Sequence, residues 1–64
     1  MDINANVAKQ AKRRGISCAE LARRVGMNPE VLRRSLKGTR RFRAEELLSI
    51  CFELEMSLLD LNKN

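Results

Sequence analysis

Arginine and lysine are the side chains with which this sequence offers the most chemistry, and they are concentrated in one part of it. Between Lys9 and Arg43 there are 12 basic residues and two acidic ones, a balance of +10, whereas the rest of the 64-residue chain carries −5. Such a surface binds polyanions because each neutralised phosphate releases condensed counterions. The charge alone is equally compatible with a solvated basic surface or with attraction to an anionic membrane.

The residues on which most catalytic sites depend are scarce. Without histidine, neither a Ser–His nor a Cys–His pair can form, and two cysteines alone make no zinc site. There is no glycine-rich phosphate loop. The adjacent Glu45 and Glu46 are explained by a helix start, where acidic residues favour the helix dipole. We therefore expect no enzyme activity, no cofactor, no metal and no small-molecule substrate.

The two cysteines also bear on the cellular compartment. Cys18 and Cys51 are too few for a disulfide framework, and no signal peptide precedes the helical region, so we expect reduced thiols in a cytoplasmic protein. A Cys18–Cys51 bridge is the weaker alternative. No apolar run approaches the roughly 20 residues that a membrane span requires, and we expect no membrane association.

Apolar residues recur at helical rather than strand spacing, which predicts an all-α fold in one domain, residues 1–64. The predicted helices span about residues 3–14, 18–25, 29–37, 44–54 and 58–62. The first should bury Ile3, Val7 and Ala11, and the third Val31, Leu32 and Leu36. The fourth should bury Leu47, Leu48, Ile50, Cys51 and Leu54. Ser57 with Asp60 predicts a cap for the fifth.

Capping residues define the second and third helices. Ser17 and Glu20 have the spacing of a capping box, in which each side chain accepts from the other's backbone N–H. Asn28 is a favoured cap, and Pro29 suits a first helical position. The intervening turn has three residues, of which Gly26 tolerates a left-handed backbone. Two short helices joined so briefly must cross steeply, as in a helix-turn-helix.

These features together resemble the helix-turn-helix family of phage repressors and Cro proteins. The resemblance covers about residues 7–61 and rests on segments 16–22, 26–28 and 56–61, with Gly38 ending the third helix. It implies a compact five-helix repressor-like domain that binds double-stranded DNA as a transcriptional regulator. The third helix would enter the major groove while the second braces against the backbone.

By this resemblance the base-reading positions are Pro29, Glu30 and Arg34, with Arg33 beside them. Glu30 can accept from a cytosine amino group and an arginine can pair with guanine, whereas Pro29 offers only apolar contact. Arg33 and Arg34 lie about 100° apart on a helix, so we expect only one, Arg34, to point at bases. The expected phosphate contacts are Ser17, Cys18, Asn28, Lys37, Thr39, Arg40, Arg41 and Arg43.

The sequence departs from the family in two places. Many members have a glutamine where this chain has Cys18, so here a backbone N–H at the helix start would have to meet the phosphate. Ala11 and Leu36 occupy positions that many members fill with an Arg–Glu ion pair. Because both charges are missing together, no unpaired buried charge results.

Two apolar residues, Phe52 and Leu59, replace residues that are usually polar in the family. With Met56, we expect them to form a homodimer through the fourth and fifth helices, with recognition helices about one DNA turn, roughly 34 Å, apart. In the alternative, Phe52 folds back over the core.

Two other functions stay open. A helix-turn-helix can also serve as a protein-binding antitoxin or adaptor. Pro29 and Cys18 are poor DNA-contacting residues at expected contact positions, so this function stays open. RNA is a third partner, although stacking aromatics are nearly absent and Phe42 is expected to pack against the protein. Steep salt dependence would distinguish phosphate binding from protein binding.

Overall fold

The computed structural model describes residues 2–61, which form five helices and no strand. These are α1 (Ile3–Arg13), α2 (Cys18–Val25), α3 (Pro29–Leu36), α4 (Ala44–Leu54) and α5 (Leu58–Leu61). The predicted all-α fold, with a helix-turn-helix at the second and third helices, is confirmed. Helices α1 and α3 end one residue earlier than predicted, because Arg14 and Lys37 cap them. Residue 62, predicted to end α5, lies outside the described residues.

One apolar core joins all five helices. Helix α2 packs on α3 and α4, while α1 packs on α3, α4 and α5. The core residues are Val7, Ala11, Leu21, Ala22, Leu32, Ile50, Cys51, Leu54 and Leu61. Burying a side chain such as Leu32 contributes roughly 1.5–3 kcal/mol, so the inner face of α3 is held firmly and its outer face has a defined direction.

The core confirms most of the predicted inward-facing residues, but Val31 is only half-buried and does not pack against the core, and Leu48 faces outward. Ile3, Leu36, Phe42 and Leu47 pack against its edge. Leu48, by contrast, is 60% exposed. The cause is angular, since Leu48 lies about 100° around α4 from Leu47, beyond the buried face.

Polar side chains cap the starts of α1 and α2. Asp2, which the sequence analysis did not identify, caps α1 by accepting from the Ala5 N–H at 3.0 Å. Ser17 accepts from the Glu20 N–H as predicted, but the Glu20 carboxylate binds Arg23 and Arg24 instead of returning to Ser17. The predicted reciprocal box at α2 is therefore wrong in its second half.

The cap predicted for α5 is confirmed in both directions. The Ser57 N–H donates to Asp60 Oδ2 at 2.9 Å, and the Asp60 N–H donates to Ser57 Oγ at 3.2 Å. Both bonds join residues three apart, so they could be predicted from the sequence alone.

The turn between α2 and α3 depends on Gly26, whose φ is +72°. As predicted, this is the left-handed region that side chains disfavour. The Gly26 N–H donates to the Ala22 carbonyl, as does that of Met27 at 2.9 Å. The turn thereby sets the crossing of the two helices.

Two further findings concern the cysteines and membranes. Cys18 and Cys51 are both free thiols, so the alternative of a bridge between them is wrong. Burial raises the pKa of the Cys51 thiol, which stays protonated in the core. Across residues 2–61, no helix is long and apolar enough to span a bilayer.

Candidate nucleic-acid interface

The outer face of α3 is a row of exposed side chains. Pro29, Glu30, Arg33 and Arg34 are all solvent-exposed, whereas Leu32 is completely buried. All four predicted base-reading residues therefore lie outside the core on one helix. A short helix with this outer row matches the size of a DNA major groove.

The cations of this row are not equivalent. Arg33 forms an ion pair with the Glu30 carboxylate one turn earlier. The side chains of Arg34 and Lys37 are exposed, and neither has an ion-pair partner within residues 2–61. Arg34 is thus a cation whose donors remain available to an incoming ligand.

The first turn of α2 lies beside the first turn of α3. The Cys18 thiol is 3.7 Å from the Pro29 carbonyl oxygen, to which it can donate. The side chain of Cys18 is thus directed at α3. Because Cys18 is the first residue of α2, its backbone N–H is one of the donors that a helix start leaves unpaired. The Ser17 hydroxyl accepts the Glu20 N–H at 3.1 Å and keeps its own hydrogen for an outside acceptor.

Both ends of α3 are closed by residues predicted to touch phosphate. Asn28 Oδ1 accepts from the Glu30 N–H at 2.8 Å. At the other end, the Thr39 N–H and hydroxyl both donate to the Arg34 carbonyl, at 3.0 and 3.1 Å. Asn28 and Thr39 therefore hold the two ends of α3 in place, whatever else they contact.

A half-buried polar cluster behind α3 was missed by the sequence analysis. It consists of Asn4, Ser35, Arg40 and Glu46, which we call the Arg40 cluster. Arg40 donates twice to the Glu46 carboxylate, at 3.0 Å each, and once to Ser35 Oγ at 2.8 Å. Ser35 is fully buried, so this hydroxyl needs its partner.

Asn4 connects the Arg40 cluster to α1. Its side-chain amide donates to the Ser35 carbonyl at 2.5 Å and to the Arg40 carbonyl at 2.8 Å. The Glu46 carboxylate also accepts from the Arg43 N–H at 2.8 Å. The cluster thus fixes the connection between α3 and α4 from both sides.

The Arg40 cluster contains an ion pair that is charged at neutral pH. The hydrogen bonds from Arg40 hold the pKa of Glu46 below its ordinary value, against the opposing effect of burial. The Glu46 hydrogen bonds in turn raise the pKa of Arg40. Arg40 was predicted to contact phosphate, but both of its terminal nitrogens are bonded inside the protein.

The side chains of the neighbouring Arg41 and Arg43 lie outside this cluster. Arg41 is exposed and has no ion-pair partner among residues 2–61, and Arg43 lies 3.8 Å from Glu45 with 73% of its side chain exposed. With Lys37, these residues extend the cationic surface beyond the end of α3.

A separate surface is apolar. Phe52 is 81% and Leu59 is 79% exposed, so the alternative in which Phe52 folds back over the core is wrong. Leu48 and Leu58, each 60% exposed, were not predicted to share this property. Met56, the third predicted interface residue, is half-buried against the core. A groove between α2 and α4 is lined by Arg24, Val25, Leu48, Ser49, Phe52 and Glu53.

The geometry defines a helix-turn-helix domain with a cationic outer helix. A family model for the Cro/C1-type HTH DNA-binding domain matches residues 6–63 of this chain. The chain belongs to that family, and the resemblance to phage repressors and Cro proteins is confirmed. Membership supports double-stranded DNA binding by a small regulator. No curated protein and no solved structure matches the chain.

Proposed function

We propose that this protein is a sequence-specific transcriptional regulator of the repressor/Cro type, with α3 in the DNA major groove and α2 across the backbone. The exposed row on α3, in which the Arg34 side chain has no ion-pair partner among residues 2–61, is the observation that carries the proposal. The shared core of the five helices supports a single domain, and the two free thiols suit a reducing cytoplasm.

Bases and phosphates are assigned to different parts of the surface. We assign base reading to Pro29, Glu30 and Arg34, because they lie on the outer row of α3, with Arg33 beside them and paired with Glu30. Phosphate contacts are assigned to Ser17, Cys18, Asn28, Lys37, Thr39, Arg41 and Arg43. Arg40 contributes by positioning, since its terminal nitrogens hold Glu46 and Ser35.

The experiment that tests sequence reading is selection from a random duplex library at roughly 150 mM salt. The wild type should enrich an inverted repeat, and Arg34→Ala should degrade the enriched motif. Arg13→Ala is the matched control, since it removes the same charge from an exposed residue of α1. It should leave the motif unchanged. Salt-sensitive binding without enrichment would overturn the proposal.

A homodimer would supply the two half-site contacts of such a repeat. Phe52 on α4 and Leu59 on α5 are large apolar side chains that are mostly exposed. Sedimentation should show a dimer for the wild type and a monomer for Phe52→Glu and Leu59→Glu. A wild type that is monomeric at high concentration would refute the dimer.

The same apolar surface supports a second candidate, a protein-binding antitoxin or adaptor. The groove between α2 and α4 joins Leu48 and Phe52 to the charged Arg24 and Glu53, a mixed lining that suits a protein partner. A monomeric wild type that enriches no DNA sequence would favour this function.

A further inference from the structure

Two asparagines of α1 use their side-chain amides in the same way but toward different helices. The Asn6 amide donates to the Leu61 carbonyl of α5 at 2.8 Å. The Asn4 amide donates to two carbonyls, those of Ser35 at 2.5 Å and Arg40 at 2.8 Å. The nitrogen of a carboxamide has two N–H donors, so Asn4 uses both of them. Asn4 therefore ties α1 to the end of α3 and to the connection that follows it.

The two carbonyls that Asn4 holds enclose the segment between α3 and the exposed Arg41. The Ser35 carbonyl lies in the last turn of α3, and the Arg40 carbonyl belongs to the peptide unit that leads into Arg41. Because a peptide unit is planar, a bond that fixes its oxygen also fixes the direction in which the chain continues. The side chains of Lys37 and Arg41 are exposed and have no ion-pair partner among residues 2–61.

Arg41 stands on a stretch that regular secondary structure does not support. The backbone bonds that close α3 end at Thr39, and α4 begins only at Ala44. On the far side of Arg41, Phe42 packs against the edge of the core. On the near side, the Arg40 guanidinium is bonded at the end of a flexible stem, whereas Asn4 acts on the backbone itself.

Resting on the proposed function, we propose that Asn4 is a positioning residue for DNA binding. By holding the peptide unit before Arg41, it presents that cation to a phosphate in a fixed direction. A contact that is already ordered avoids the entropy cost of fixing the backbone when DNA binds. Since phosphate contacts carry no sequence information, Asn4 controls the affinity for duplex DNA and not the choice of bases.

The test compares Asn4→Ala with a matched control, Asn6→Ala. Both changes remove an α1 amide that donates to a distant backbone carbonyl, but only Asn4 holds the segment before Arg41. Affinities for the selected duplex and for random duplex are measured at about 150 mM salt, at a temperature where thermal unfolding shows that the variants are folded. If Asn4→Ala is too unstable to fold, Asn4→Ser, which keeps one donor, takes its place.

Asn4→Ala should bind both duplexes about tenfold more weakly, which is the cost of ordering one backbone residue on binding, and should select the same motif as the wild type. Asn6→Ala should stay within about twofold of the wild type. If folded Asn4→Ala also does so, the inference is overturned, while a motif that Arg34→Ala degrades still supports the proposed function. If the wild type binds no duplex, both are overturned.

A double variant separates positioning from general damage to the fold. In the Arg41→Gln background, Asn4→Ala should weaken binding by less than about threefold, because the contact that it positions is already missing. A merely structural asparagine would cost the same affinity in both backgrounds. Equal losses with and without Arg41 would therefore show that Asn4 does not act through this arginine and would overturn the proposal.

Discussion

Glu30–Arg33 and Arg40–Glu46 are ion pairs between the same two chemical groups, yet they lie in different surroundings. The first joins adjacent turns of α3, with side chains 71% and 49% exposed. The second joins the α3–α4 connection to α4, with side chains 25% and 15% exposed, and adds a bond to buried Ser35. An exposed pair exchanges readily with water or a ligand. A shielded pair with further hydrogen bonds stays closed and holds the backbone.

This comparison divides the arginines of the molecule into two kinds. Arg33 and Arg34 stand on the outer row of α3, where DNA would meet them. Arg40 is four residues past the end of that helix, but its guanidinium faces inward. Charge counting treats all three alike, whereas burial and hydrogen bonding distinguish them.

Glu46→Gln should lower the free energy of unfolding by about 2 kcal/mol, because it weakens charged hydrogen bonds to a shielded arginine. Glu45→Gln is the matched control, since it removes a neighbouring charge from the same helix start. Glu45 is 78% exposed and 3.8 Å from its partner, so its loss should cost under about 0.5 kcal/mol. Urea unfolding measures both. If the two variants lost equal unfolding free energy, the Arg40–Glu46 pair would be no stronger than the exposed Arg43–Glu45 pair.

Arg41→Gln and Arg40→Gln should differ in the salt dependence of DNA binding. Replacing Arg41, which is exposed and unpaired within the described chain, should reduce the slope of log K against log salt by about 0.9. Replacing Arg40 should change the slope less, because Glu46 already neutralises it. Filter binding from roughly 50 to 200 mM salt measures this, at a temperature where both variants are folded. A larger change for Arg40→Gln would show that it contacts phosphate directly.

Acid should remove the contribution of the Arg40 cluster. The pKa of Glu46 is lowered in the folded protein, so its stabilisation is fully present above the unfolded pKa and is lost as the pH falls through the folded one. The difference in melting temperature between wild type and Glu46→Gln should therefore shrink between about pH 5 and pH 3. A difference that stays constant over this range would contradict the assignment.

Glu55→Gly should stabilise the protein slightly. Glu55 ends α4 with φ +54°, a left-handed conformation that costs a side chain roughly 1 kcal/mol. Its exposed pair with Arg14 is worth less than that, so a net gain of about 0.5 kcal/mol is expected. Thermal unfolding alongside Glu55→Gln, which removes the pair but keeps the strained backbone, separates the two contributions. A net loss would mean that this exposed pair is stronger than its surroundings suggest.

Local signals in the sequence were enough to place the helices and the turn between α2 and α3. Ser17, Asn28, Pro29 and Gly26 act on atoms within about four residues, so their effects do not depend on the rest of the fold. The family resemblance then supplied the roles of α2 and α3. The wrong prediction for the Glu20 side chain was also local in origin. The Ser17 N–H, Arg23 and Arg24 all lie within reach of its carboxylate, and residue spacing alone does not say which of them it binds.

By itself, then, the sequence determined which residues form helices, where the turn falls and which part of the chain is cationic. Only the tertiary structure decided which cations are free. The side-chain amide of Asn4 donates to carbonyls 31 and 36 residues away in the sequence, and the spacing of residues along the chain does not predict such a contact. Likewise, Leu48 and Phe52 follow helical spacing but lie beyond the face that the other helices cover. Long-range packing, which a linear pattern does not encode, sets both the Arg40 cluster and the exposed apolar surface.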